Sequence, residues 1–200
     1  MTENARAGKL VVISGFSGVG KGTVVNRLLS DYDHYTLSVS MTTRKPREGE
    51  VHGVNYYFVS NEEFEEMIGN GGLLEHAGYA DHYYGTPRSF VEENMAKGKD
   101  VILEIEVQGC EKIKARNPDC VSIFIMPPSL EVLEKRLRGR GTETEDVILR
   151  RMARAREEIA LAKNYDYIVV NGPIEECVAD VLSVLHAEKL KAARFREEIV

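Results

Sequence analysis

One stretch near the start constrains this chain more than any other: Leu10-Val-Val-Ile-Ser-Gly-Phe-Ser-Gly-Val-Gly-Lys-Gly-Thr-Val-Val-Asn-Arg-Leu-Leu29. It joins an apolar run, a glycine-rich turn and an amphipathic helical pattern without interruption. Gly15, Gly18 and Gly20 let the backbone turn tightly, so that its N–H groups converge on one anion, and a helix opening near Lys21 adds its positive dipole end. Lys21 then reaches the β and γ phosphates of a nucleotide. Gly15, Phe16, Ser17, Gly18, Val19, Gly20, Lys21, Gly22 and Thr23 are the candidate phosphate-binding residues. The strict pattern places Ser or Thr directly after the lysine, but Gly22 holds that position and the hydroxyl comes at Thr23. Metal ligation by a hydroxyl in that first position is therefore not expected.

A chain of 200 residues with 43% hydrophobic content buries one good core, with room for inserted flaps. Its net charge of -6 argues against a general nucleic-acid or membrane-surface binder. Cys110, Cys120 and Cys177 lie far apart, as reduced thiols of a cytoplasmic protein would. The first residues are polar, with no apolar signal core, and no run reaches membrane-spanning length. The five histidines are not closely paired, so no protein-ligated metal is expected. The sequence leaves a homo-oligomer open.

Val/Ile/Leu runs at Leu10–Ser14, Val101–Ile105, Val121–Met126 and Tyr167–Val170 read as strands buried on both faces. Helical patterns alternate with them: after Lys21, over Gln108–Arg116, Leu130–Leu137 and Thr144–Ala162, and from Ile174 to about Arg196. This predicts an α/β fold in which crossover helices cover a parallel sheet, with the glycine turn at the carboxyl end of the first strand. From Ser38 to Pro87 the rhythm changes to short runs (Asn55–Val59, Leu73–Tyr79, Tyr83-Tyr84) and one helix over Asn61–Ile68, with Asn61 expected to cap it. That region reads as an inserted β-rich flap. Arg138-Gly-Arg-Gly-Thr-Glu-Thr144 reads as a mobile lid leading into a helix through a Thr cap.

Within the flap, Arg44 and Arg47 stand on either side of Pro46. Two guanidiniums in a stiff turn suit a second phosphate, although pairing with Glu48 and Glu50 is the plainer alternative. Val-Ile-Leu-Glu-Ile-Glu-Val107 places Glu104 and Glu106 at the end of a buried strand, where acids are costly unless they meet a ligand or cation. In the helix after Thr144, the apolar stripe Ile148, Met152, Ala155, Ile159, Ala162 is expected to face the core. Asp146 pairs with Arg150 and Arg154 with Glu158 at four-residue spacing, which leaves Arg151 in need of a partner outside the helix, with Arg156, equally unpaired locally, as an open second choice.

These pieces resemble the guanylate kinase family nearly end to end. The matching segments are Gly15–Thr23, Ser40-Met-Thr-Thr-Arg-Lys-Pro-Arg-Glu-Gly-Glu50, Tyr56, Glu75, Tyr83-Tyr-Gly-Thr86, Leu103–Gly109, Arg136, Gly139–Thr144, Arg151 and Ile168–Asn171. The resemblance implies a P-loop NTPase-type parallel sheet flanked by helices, with core segments 1–37, 89–136 and 153–200. It makes 38–88 a GMP-binding flap and 137–152 a lid. It implies ATP and GMP as substrates, magnesium bound with ATP, and no nucleic-acid or membrane partner. Arg44, Arg47, Tyr56 and Tyr84 are then expected on the GMP phosphate, with Ser40, Glu75, Gly85, Thr86 and Glu106 around guanine. Lys21, Arg44, Arg136, Arg140 and Arg151 are expected to carry catalysis, and Asn171 to lie by the ATP base or ribose. The chemistry agrees: guanine offers an N–H and an amino group side by side, and a carboxylate at Glu75 accepts from both, whereas adenine presents an acceptor there. Two rival readings are a related kinase with another acceptor and a non-catalytic binding module of the same fold.

Overall fold

The computed structural model describes residues 7–79, 81–139, 141 and 144–195. The chain runs through β1 (Leu10–Gly15), α1 (Lys21–Asp31), β2 (Tyr35–Leu37), β3 (Met41–Thr42), β4 (Tyr57–Phe58), α2 (Asn61–Gly69), β5 (Leu73–Tyr79), β6 (His82–Pro87) and α3 (Arg88–Ala96). It continues through β7 (Asp100–Glu104), α4 (Val107–Arg116), β8 (Val121–Met126), α5 (Leu130–Gly139), α6 (Glu145–Ala162), β9 (Tyr167–Val170) and α7 (Ile174–Lys189), ending in a short 3-10 turn at Ala192–Phe195. Five strands form a parallel sheet in the order β2-β7-β1-β8-β9, and four form a second sheet in the order β4-β3-β6-β5. Packing divides the chain into two compact units with the boundary inside β1: residues up to Val12 with Leu29–Cys120, and Ile13–Leu28 with residues from Val121 onward.

In the first unit β7 buries Val101, Ile102 and Leu103 almost completely, as a parallel strand covered on both faces must. It pairs with β2 from Tyr35 opposite Asp100 to Leu37 opposite Ile102. The second sheet is mixed, with β3 parallel to β4 and antiparallel to β6, and β6 antiparallel to β5. Met41, Phe64 and Leu73 form its small core, against which Tyr57, Val59 and Met67 pack. The cap of α2 is Ser60, not Asn61: Ser60 Oγ accepts from the Glu63 N–H while the Glu63 side chain accepts from the Ser60 N–H. This reciprocal pair satisfies two otherwise orphan donors, which a single Asn cap does not.

In the second unit Ile123, Phe124 and Ile125 of β8 are wholly buried, and Phe16 meets Phe124 edge-on at 5.2 Å between ring centres. Strand β9 departs from the expected double-sided burial. It stands at the sheet edge, so Val169 is buried while Ile168 and Val170 each expose about half their surface (51% and 50%). On α6, Ile148, Met152, Ala155 and Ala162 are buried as expected, but Ile159 remains 40% exposed. The stripe is geometrically continuous there; cover depends on the elements opposite rather than on the helix's own period. The Arg154–Glu158 pair forms at 2.9 Å, whereas Asp146 and Arg150 are both exposed and do not pair. Helix α7 stops at Lys189, short of the expected end near Arg196, which itself lies outside the described residues.

Candidate active site

The glycine turn takes the shape its sequence demands. Gly15, Gly18 and Gly20 adopt φ of 150°, 86° and 101°, and a Cβ on Gly15 would lie 2.3 Å from the Ile125 carbonyl oxygen. Such backbone is open only to glycine. Helix α1 begins at Lys21, with Thr23 and Val24 donating back to the Gly20 carbonyl. Lys21 Nζ donates to the carbonyls of Gly15 (2.7 Å) and Phe16 (3.1 Å), which holds the ammonium over the loop that surrounds it.

Three more side chains of this unit converge on the loop. Arg136 on α5 donates to the Val19 carbonyl at 3.0 Å and to the Asn171 carbonyl at 2.8 Å. Asn171, buried just past β9, donates its amide to the same Val19 oxygen at 2.8 Å. These two residues therefore brace the backbone that presents the loop. Arg151 on α6 donates to Ser17 Oγ at 3.2 Å, a partner outside its own helix as its spacing required. Arg140, and residues 142 and 143 of the expected lid, lie outside the described residues.

The other expected residues fall in the first unit. Arg44 makes a two-pronged pair with Glu50 at 2.9 Å on each arm, and Glu50 also accepts from the Arg47 N–H at 2.7 Å. The pairing with Glu50 that the sequence allowed is thus present, and a carboxylate occupies donors that suit a phosphate. The Arg44 guanidinium holds the Glu50 carboxyl below the usual carboxylate range, and Glu50 in turn raises the arginine. Arg44 also lies over the rings of Tyr56 and Phe58, at 5.4 and 5.8 Å. Tyr56 and Tyr84 meet at 6.0 Å, and burial pushes the Tyr56 phenol up, keeping it a hydrogen-bond donor. Ser40 is half-buried and Arg47 exposed.

Glu75 is 4% exposed and accepts from the Thr86 hydroxyl at 2.8 Å. Burial pushes its carboxyl up, while the Thr86 hydroxyl and the positive charges of Lys112 and Arg116 pull it down. Gly85 is close-packed, with Phe64 3.0 Å from where a Cβ would sit. Glu104 is half-buried, but Glu106 is exposed at the cap of α4, beyond the end of β7. The argument from buried acids therefore does not apply to Glu106. Sequence reasoning missed two supports: Thr42, whose hydroxyl bonds the Tyr83 carbonyl and the Arg44 N–H, and Gly109, whose missing side chain leaves room for Glu75. A glycine after an acid-bearing strand was the one available signal for the last.

A glycine turn closed around its lysine at the end of the first strand of a parallel sheet defines a phosphate-loop nucleotide-binding protein. The sequence pattern of the guanylate kinase family matches residues 7–188. The guanylate kinase of Clostridioides difficile (strain 630) is 49% identical over 195 residues, covering 98% of this chain and 95% of that protein. That of Streptococcus thermophilus (strain CNRZ 1066) is 53% identical over 188 residues, covering 94% and 90%. Among solved structures, the guanylate kinase from Anaplasma phagocytophilum superposes with a TM-score of 0.77 at 38% identity, covering 94% of this chain and 90% of that one. The chain belongs to the guanylate kinase family.

Proposed function

We propose that this chain transfers the γ-phosphoryl group of ATP to GMP, giving ADP and GDP, with the residues described above in named roles. A GMP phosphate oxygen is already anionic at neutral pH, so the nucleophile needs no general base. Catalysis then consists of offsetting the repulsion between two polyanions and aligning them. Lys21, the loop N–H groups, Arg151 and, in the lid, Arg140 supply positive charge to the donor phosphates. Arg136 and Asn171 act first by fixing the loop's shape, and Arg136 adds its charge. Magnesium would arrive with ATP and would help neutralise its phosphates; Gly22, directly after Lys21, offers it no hydroxyl.

On the acceptor side, Arg44, Arg47, Tyr56 and Tyr84 take the GMP phosphate, which displaces or shares the Glu50 carboxylate. Glu75 and Thr86 read guanine, with Ser40, Gly85 and Glu106 completing its surroundings. Residues 38–88 act as the acceptor-binding flap, residues 137–152 as the lid, and the remaining segments as the nucleotide-binding core. The observation that carries the base assignment is the buried Glu75 carboxylate aligned by Thr86, because a base that left it unpaired would forfeit roughly 10⁴-fold in discrimination.

The test is ADP release from Mg-ATP with GMP, AMP, UMP, CMP and dTMP supplied in turn, for wild type and Glu75→Gln. A strong GMP preference that collapses in the variant is expected. Turnover with another acceptor would reassign the substrate, and no turnover with any would leave a binding module.

A further inference from the structure

Glu75 sits in an irregular part of its strand. On β5, Leu73 lies opposite Pro87 and His76 opposite Gly85, so Leu74 and Glu75 together face Thr86 alone. This is a β-bulge, and across it Leu73, Leu74 and Glu75 are all buried in succession. A bulge re-aims a side chain but removes backbone groups from the ladder, and buried carbonyls left without donors are costly. Two residues of α4 supply donors on either side of Glu75. Arg116 donates a guanidinium N–H to the Leu74 carbonyl at 2.9 Å, and Lys112 donates its ammonium to the His76 carbonyl. They are four positions apart, one turn of the same helix, and both otherwise face solvent. On the same helix, Gly109 lets the Glu75 carboxylate approach: a Cβ there would stand 3.1 Å from Oε2.

We propose that Lys112 and Arg116 are positioning residues for base recognition, locking the bulge that turns Glu75 inward and setting two positive charges on the helix beside it. Ionisation matters because the protonated acid has one donor and one acceptor, which complements the edge of adenine rather than that of guanine. Among the described residues, the charged groups acting on Glu75 are these two cations of α4; β6 contributes the uncharged Thr86 hydroxyl. Burial alone drives the carboxyl toward its protonated form, and the cations oppose it. The inference rests on Glu75 reading guanine.

The experiment compares wild type, Lys112→Gln, Arg116→Gln, the double variant, Arg116→Lys and each in a Glu75→Gln background. It measures kcat and KM for GMP and for ATP, the GMP-to-AMP ratio of kcat/KM, and its dependence on pH. GMP's own phosphate titration is common to all forms and cancels in the ratio of variant to wild type. The double variant is expected to raise KM for GMP about tenfold, leave KM for ATP within twofold, and lower the GMP-to-AMP ratio most at acid pH. Because the cations are exposed, the acid limb shifts upward by only about half a pH unit. Arg116→Lys restores most of the loss, and in the Glu75→Gln background neither substitution adds anything further.

Equal losses for GMP and ATP, or losses that add to those of Glu75→Gln, would mean a merely structural role. An unchanged GMP-to-AMP ratio in stably folded variants would overturn the proposal while leaving Glu75 as the base reader. A Glu75→Gln variant with its GMP preference intact would instead overturn the underlying assignment. Should Arg116→Gln fail to fold, Lys112→Gln and Arg116→Lys carry the same comparison.

Discussion

Replacing Gly15 with alanine separates two costs that the loop's geometry imposes at one residue. The first is conformational: at φ of 150° an L-residue is strained, by about 1–3 kcal/mol. The second is overlap, because the new Cβ lands 2.3 Å from the Ile125 carbonyl oxygen and 3.1 Å from its carbon and nitrogen. Carbon and oxygen meet comfortably at about 3.3 Å or more, and Ile125 is wholly buried in β8, where the backbone has no room to retreat. Overpacking of this kind adds about 1–3 kcal/mol. The sum centres near 4 kcal/mol, and at about 2–4 °C per kcal/mol for a chain of this size Tm falls by about 8–16 °C. Gly49→Ala is the control: its φ is 82°, but nothing lies within 4 Å of its would-be Cβ. It pays strain alone, about 1–2 kcal/mol. Calorimetric melting of wild type and both variants decides the matter. A Tm loss for Gly15→Ala no greater than that for Gly49→Ala would refute the reasoning, since the loop could then yield where the structure says it is pinned.

Other outcomes follow from the same geometry. Ser60→Ala removes one half of the α2 capping box and should cost about 1 kcal/mol in chemical denaturation, with kcat unchanged. Asn171→Ala removes one of the two side-chain donors that the Val19 carbonyl accepts from; KM for ATP should rise several-fold and KM for GMP stay constant in steady-state assays. Glu75→Gln should melt higher than wild type near pH 7.5. A carboxyl raised on folding costs stability wherever it is ionised, and that cost disappears as pH falls through the folded value toward the ordinary 4.5. The advantage of the variant should therefore shrink by pH 5; an advantage that grows as pH falls would reverse the sign of the argument.

Hydrophobic runs long enough to lie across a sheet announced themselves in the sequence. Val121–Met126 and Tyr167–Val170 have the strand limits their composition indicates, and Leu73–Tyr79 likewise. Short elements did not. Strands β2 and β3 are three and two residues long, too brief for any period to emerge, and exist because neighbouring strands supply their partners. Helix α3 escaped because only Val91 among its residues is fully buried, so its apolar stripe is faint. In the site, spacing on α6 left Arg151 and Arg156 alike without a partner on the helix, and Arg151 meets Ser17. The parts that spacing could not reveal depend on tertiary register: the bulge at Glu75 and the bracing of Val19 by Arg136 each join residues that no local pattern connects.

The Arg44–Glu50 clasp and the bulge at Glu75 lie on separate stretches of backbone, each closed by its own neighbours. One stretch carries the candidate grip on a phosphate and the other the candidate reader of a base. Inheritance can therefore act on them as two traits rather than one. A lineage under selection for a new acceptor can rewrite the few residues around the bulge while its phosphate grip stays intact, so that each intermediate along the way still holds half of its substrate.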